Sequence, residues 1–306
     1  MKLKKYITFA VLVSFLFIMG CTGTTTTSTG AYYNCFASDN SMIDAYFDEY
    51  APFSSAANTY QPGEEIDVDV VLVNKMPEDI DAGDVKVKLK GDAILDNIFT
   101  GAKTVTSPKL YSIDKDTCLT SEEQVELGPL KYKQDISTTV TKEIAGLYCY
   151  AMPVEVKAYL FYTELEEELG VNLPSGSNPP SAVRITQIDQ DPVSVSGDGK
   201  SAELRFKLTI ENTGTGTIIP SLADCFTYIE PGEREDLKVT VTGAYKNIEC
   251  DEDVRLNRDT QDDTITCIVT GVDPTNLGPL ASEITITLYD FAYEDVIDSV
   301  NIWIEP

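Results

Sequence analysis

Apolar and polar residues alternate along much of the chain. Ile66, Val68, Val70 and Leu72 take every second position of one run, which ends at Asn74. Leu204, Phe206, Leu208 and Ile210 do the same in another, which ends at Asn212. A shift of 138 positions lays the first run on the second. Period-two spacing marks a strand with one buried face. Near the end of each half, PVEVKAYLFY (153–162) matches EITITLYDFAY (283–293) at a shift of 130, which lays Val154 on Ile284, Val156 on Ile286, Ala158 on Leu288, Tyr159 on Tyr289 and Phe161 on Phe291. Further strands are predicted over 42–47, 85–89, 140–150, 183–188, 237–241 and 264–269. Turn residues separate them, as at Gln61-Pro62-Gly63, Gly91-Asp92, Ser196-Gly197-Asp198-Gly199 and Pro231-Gly232. Only TELEEEL (163–169) reads as helical, for at most two turns, or else as an extension of the strand before it. Short strands at this spacing predict an all-β protein of antiparallel sandwiches.

The stretch GVNLPSGSNPPSA (170–182) supports neither period and divides the chain into halves of similar size. At the other extreme, residues 6–19 form an uncharged, mostly apolar run behind Lys2, Lys4 and Lys5, the layout of an export signal and too short for a comfortable membrane span. That run stops at Ile18-Met19-Gly20-Cys21. The expected organisation is a signal peptide over 1–20, a Thr/Ser/Gly stalk over 21–30, a first sandwich over 31–169, a linker over 170–182 and a second sandwich over 183–306.

Ile18-Met19-Gly20-Cys21 resembles a lipobox, at which prokaryotic lipoproteins are cleaved and lipidated on the new N-terminal cysteine. Gly20 and Cys21 match that pattern; Ile18 and Met19 depart from its preferred Leu and Ala or Ser. The resemblance implies lipidation at Cys21 and anchoring to the outer face of the cytoplasmic membrane or another envelope membrane. Two acyl chains suffice for stable anchoring where one does not. The segments Pro62-Gly63-Glu64-Glu65 with IDVDVVLVN, then Val85–Leu89, and in the second half Pro192-Val193 with LRFKLTIENTGTGTI, are similar to the immunoglobulin-like, CARDB-like modules of bacterial and archaeal surface proteins. Lys75-Met76 stands where those modules often carry Gly after the Asn. The resemblance implies two tandem immunoglobulin-like sandwiches, used for adhesion or presentation and without catalytic residues.

Charge narrows the partners. Lys and Arg number 23 against 50 Asp and Glu; residues 1–20 hold three of the Lys and no acid, so the remainder carries 20 basic against 50 acidic side chains, a net charge of −30. Phosphate and anionic lipid would be repelled, which excludes nucleic acid as a partner and leaves the lipid as the membrane contact. Beside Cys21, six cysteines remain, an even number that predicts disulfides in an exported chain. Their positions favour local pairs, Cys118–Cys149 and Cys250–Cys267, with Cys35–Cys225 joining the halves; Cys225 with Cys250 or Cys267 is the alternative.

Candidate chemistry is sparse. Histidine is absent, which removes His-based nucleophilic sites and His-ligated zinc. No cofactor is expected; carboxylate pairs are the one open enzymatic route, and fifty acids single out no pair. Calcium has one weak candidate, CDEDVRLNRDTQDD (250–263), with Asp251, Asp253, Asp259, Asp262 and Asp263 beside Glu252. Tyr32, Tyr33, Tyr46, Phe47, Tyr50, Phe53 and Tyr60 form either core and strand-edge cover or a contact surface. The function expected is an outward-facing, lipid-anchored binding, adhesion or scaffold protein that meets a protein partner at the cell surface. An accessory or solute-binding lipoprotein of a surface machine, and a carboxylate hydrolase, are the alternatives.

Overall fold

The computed structural model describes residues 35, 39–91, 98–114, 116–227, 236–244, 247–251, 253–257, 260–278 and 281–306. Signal, stalk and Cys21 lie outside this range, as do Tyr32 and Tyr33. The described chain is all-β, with every strand pair antiparallel. Before residue 170 come β1 (Ile43–Phe47), β2 (Glu65–Ile66), β3 (Asp69–Asn74), β4 (Val85–Lys90), β5 (Phe99–Thr100), β6 (Thr104–Thr106), β7 (Glu122–Glu126), β8 (Leu130–Tyr132), β9 (Val140–Tyr150) and β10 (Val154–Phe161). After it come β11 (Val183–Gln190), β12 (Ser194–Val195), β13 (Ala202–Asn212), β14 (Thr217–Ile219), β15 (Asp236–Gly243), β16 (Ile248–Cys250), β17 (Asp253–Arg255), β18 (Asp262–Val272), β19 (Ala281–Tyr289) and β20 (Ala292–Ile304).

The alternating runs predicted from sequence are strands with one buried face. Ile66, Val70 and Leu72 on one side, and Leu204, Leu208 and Ile210 on the other, have no solvent exposure. Full burial of a side chain of this size contributes roughly 1.5–3 kcal/mol. Asn74 and Asn212 close their strands in the same way. The Asn74 Oδ1 accepts from Met76 N at 2.8 Å and its Nδ2 donates to Glu78 O at 2.8 Å. The Asn212 Oδ1 accepts from Gly214 N at 3.2 Å and its Nδ2 donates to Gly216 O at 3.1 Å. A buried amide thus satisfies the backbone where each ladder ends. The likeness extends to the preceding strands: Ile43 N donates to Ser41 Oγ, and Val183 N to Ser181 Oγ. Pro129, which has no N–H to give to a ladder, parts β7 from β8, whereas β18 runs unbroken.

The first repeat has two sheets of its own and the second has one. In the first, β1-β3-β7 and the small β2-β8-β5 together correspond to β11-β13-β18-β16 of the second. The other sheets are shared. The order β14-β20-β9-β4-β6 draws on both repeats, and so does β10-β19-β15-β17. Segment 170–182 therefore separates the repeats along the chain but does not separate their sheets, because β9 pairs with β20 and β10 with β19.

This pairing corrects the second sequence match. β10 and β19 are hydrogen-bonded neighbours, with Val154 opposite Leu288 and Val156 opposite Ile286. The counterpart of β19 is β9: Val87 lies opposite Tyr148 just as Val239 lies opposite Leu288. A shift of 140 lays Tyr148 on Leu288. Alternating strands are interchangeable as patterns, and only the hydrogen-bonded partner tells them apart. The acidic stretch read as helical holds one 3-10 turn, Glu166–Glu168, without a side-chain cap. Three carboxylates in three residues repel one another, and no residue of the turn is buried to compensate.

All six cysteines after Cys21 are paired. Cys250–Cys267 forms as expected. Cys118–Cys149 and Cys35–Cys225 do not; the bonds are Cys35–Cys118 and Cys149–Cys225. Cys149 stands on β9 opposite Glu294 of β20, and the turn after β14 brings Cys225 beside them. Sequence proximity misled here because strand pairing, not chain distance, sets which thiols meet.

Candidate functional site

Among the described residues, a polar groove of about 550 Å3 opens between the start of β1 and the start of β20. The first repeat supplies Asp39, Ser41, Asp44, Tyr46, Lys75 and Tyr148; the second supplies Thr213, Gly214, Thr215, Asp295, Val296 and Asp298. Residues 39–41 fasten the two sides. Asn40 Nδ2 donates to Thr213 O at 3.0 Å, Ser181 N donates to Asp39 O, and the Arg184 guanidinium also reaches Asp39 O.

Lys75 sits at the base, directly after the Asn74 plug, with only 8% of its surface exposed. Its amino group meets Asp39 Oδ2 at 2.8 Å and Asp44 Oδ2 at 2.7 Å. Burial disfavours its charge, but the hydrogen bonds to Asp39 and Asp44 outweigh burial and hold the pKa above the usual lysine range. Tyr148, also buried, lies 3.3 Å from Ser41 Oγ through its hydroxyl, and burial pushes its pKa up.

The pairing of Tyr148 with Asp295 across β9 and β20 distinguishes this side of the molecule. The corresponding pair in the other repeat is Leu288 with Val154, both without solvent exposure. An apolar pair in one repeat is thus a polar pair in the other, beside the groove. Asp295 is half-buried. Burial raises its pKa, while hydrogen bonds from Val296 N and the Thr215 hydroxyl act in the opposite direction. A raised carboxyl pKa means that the folded state holds the proton more tightly than the unfolded chain does. The stability linked to it is present below the unfolded carboxylate pKa and is lost as pH rises through the folded value. Asp295→Asn is expected to raise the melting temperature at pH 7, with the difference from the parent closing below about pH 4. A difference independent of pH would contradict this reading of Asp295.

The groove offers carboxylate acceptors, hydroxyls from Ser41, Thr213, Thr215 and Tyr148, and the ring of Tyr46, whose hydroxyl donates to Glu122 Oε1 at 3.1 Å. Sequence reasoning did not find it. Lys75 and Thr213-Gly214-Thr215 were visible only as residues next to strand ends, and Asp295 only as one acid among fifty.

The described calcium candidates are not gathered into a site. Asp253 opens β17, Asp262 and Asp263 open β18, and Asp263 accepts from Arg255 N and Thr264 N. Asp251 accepts from Thr266 N at 3.4 Å. Glu252 and Asp259 lie outside the described residues. Among the described residues no group of three or more Cys, Asp or Glu is placed to hold a metal. The carboxylates instead terminate a ladder, which uses their oxygens on backbone N–H groups. Of the aromatic candidates, Phe47 is buried, Tyr60 is half-buried, and Tyr46, Tyr50 and Phe53 are exposed, the last two meeting edge to face at 6.3 Å between centroids.

No family model and no curated protein matches the chain. Among solved structures it has a likeness to an envelope protein, VP37, of White Spot Syndrome Virus, at 9% identity over 47% of this chain and 98% of that one, with a TM-score of 0.24. Another is a serine-rich repeat adhesion glycoprotein (Srr1) of Streptococcus agalactiae, at 12% identity over 89% of this chain and 98% of that one, with a TM-score of 0.17.

Proposed function

We propose that the chain is an exported, lipid-anchored envelope protein, tethered at Cys21, whose acidic body faces outward and binds without catalysis. The observation that carries this reading is the cysteine pattern. Six thiols are locked in three disulfides, two of them closing sequence separations of 83 and 76 residues, which requires assembly in an oxidising compartment. The seventh cysteine, Cys21, follows the apolar run. With no histidine in the chain and those six thiols oxidised, neither a Ser-His nor a Cys-His nucleophilic pair can be assembled from them.

Between adhesion or scaffolding and a solute-binding accessory role, the groove favours the second. Its 550 Å3 falls within the range of small-molecule sites, and its walls present converging polar groups. Metabolic labelling with an alkyne fatty acid in the native host tests the anchor. The parent protein is expected to carry the label and fractionate with membranes. Cys21→Ala is expected to lose the label and appear in the soluble exported fraction. A labelled Cys21→Ala protein, or a parent recovered unlabelled from the cytoplasm, would overturn the proposal.

A further inference from the structure

A strand that follows its predecessor by two or three residues ordinarily folds back beside it as a hairpin. Residues 151–153 join β9 to β10, and residues 290–291 join β19 to β20, yet neither pair of strands is hydrogen-bonded. Each short link instead carries its strand across to the other repeat. β20 lies on β9 from Tyr293 opposite Tyr150 to Ile304 opposite Val140, and β10 lies on β19 from Val154 opposite Leu288 to Phe161 opposite Ala281. The local chemistry suits a crossing. Pro153 has no N–H to offer a hairpin ladder, and Asp290 takes a left-handed φ of 57° between two strands that part.

The exchange is reciprocal. β9 and β19 are counterparts in the two repeats, and so are β10 and β20, so each repeat gives its last strand and receives the other's. This is the logic of a two-fold interface between identical subunits, here written into a single chain. The donated strands are not decoration. β10 carries Val154, Val156, Ala158 and Leu160, all fully buried, and β20 carries Tyr293, Ile297, Ile302 and Ile304 at 1% exposure or less. Withdrawing either strand would expose that row and leave a sheet edge with unpaired N–H and C=O groups. It would also remove one wall of the polar groove, because Asp295, Val296 and Asp298 ride on β20.

We propose that the two repeats are a single obligate assembly held by reciprocal strand donation. The partner that the β9 edge fits is β20, the partner that the β19 edge fits is β10, and neither sandwich persists without the other. This goes beyond the proposed envelope function and does not depend on it.

Cutting the folded chain tests the proposal. A protease site placed at 164–167, an exposed stretch after β10, allows cleavage in native buffer. The Cys149–Cys225 bond also joins the repeats, so the cut is made in the Cys149→Ala/Cys225→Ala protein. Light scattering after size exclusion is expected to give one particle with the mass of the uncut chain, separating only in denaturant. Two folded particles of about half that mass would overturn the proposal. Because that variant could fail to fold, the uncut parent protein is measured as well. Calorimetry is expected to give one transition, and hydrogen exchange a shared opening free energy for β9, β10, β19 and β20. Two transitions, with β18 and β19 losing protection while β3 and β9 keep theirs, would overturn it.

Discussion

Tyr293→Ala is expected to lower unfolding stability by about 4 kcal/mol, within the range for emptying a large aromatic site in a core. Tyr293 is 1% exposed and stands at the head of β20, opposite Tyr150, with the two ring centroids 5.8 Å apart. Its hydroxyl accepts from Gly216 N at 2.7 Å. Gly214 and Gly216 lie so close to the ring that a Cβ built at either would strike it. The alanine substitution therefore opens a cavity where β20 enters the first repeat's sheet and also leaves a partly buried N–H without its acceptor. Tyr293→Phe removes only the hydroxyl and should cost about 1–3 kcal/mol. Denaturant titration of both variants measures the difference. Equal losses would mean that the hydrogen bond and not the ring holds the strand, and losses under 1 kcal/mol for the alanine variant would mean that the entry of β20 tolerates a void.

The second large effect is expected from the disulfide between the repeats. On the loop-entropy account, whose mechanism is model-dependent, a bond closing 76 residues stabilises by about 4 kcal/mol, and one closing 17 by about 3 kcal/mol. Cys149→Ala/Cys225→Ala should therefore lose more than Cys250→Ala/Cys267→Ala. Local contacts widen the gap. Cys149 is fully buried in a small cluster with Ile219, Cys225 and Ala292. Lys86 Nζ donates to Leu222 O at 2.7 Å, Lys88 Nζ lies 4.8 Å from the centroid of the Phe226 ring, and Phe226 N donates to Glu294 Oε2 at 2.7 Å. The turn carrying Cys225 is thus tied to β4 and to β20, and freeing it loosens both. At roughly 2–4 °C per kcal/mol for a chain above 150 residues, the difference between the two double variants is measurable by calorimetry. The reverse order would show that contacts across the shared sheets, rather than the cross-link, join the repeats.

Much of the fold was legible before the coordinates. The strands predicted at 85–89, 140–150 and 183–188 are β4, β9 and β11 within two residues. The match of Ile66–Asn74 with Leu204–Asn212 reflects a true structural repeat, down to the hydrogen bonds of its two asparagines. That signal is local: alternation and a polar stop are written in neighbouring residues. Strand partners are not. PVEVKAYLFY and EITITLYDFAY look like copies of one strand because both have one buried face, yet they are partners across a sheet. Cys118 and Cys149 look like a local pair, but β9 turns Cys149 toward a turn 76 positions away.

The groove was the least legible feature. Its lining comes from the ends of several strands and two turns, none of which carries a motif, and its distinguishing pair, Tyr148 and Asp295, becomes meaningful only when set beside Leu288 and Val154. By itself, the sequence determined the all-β class, the repeat, the acidity of the body and the oxidised state of its thiols, because burial periodicity, charge and composition act residue by residue. The tertiary structure alone decided which strand completes which sheet, how Cys35, Cys118, Cys149 and Cys225 pair, and where a polar groove opens. Those outcomes depend on contacts between residues far apart in the chain, and many alternating strands could satisfy such pairing equally well until the whole chain packs.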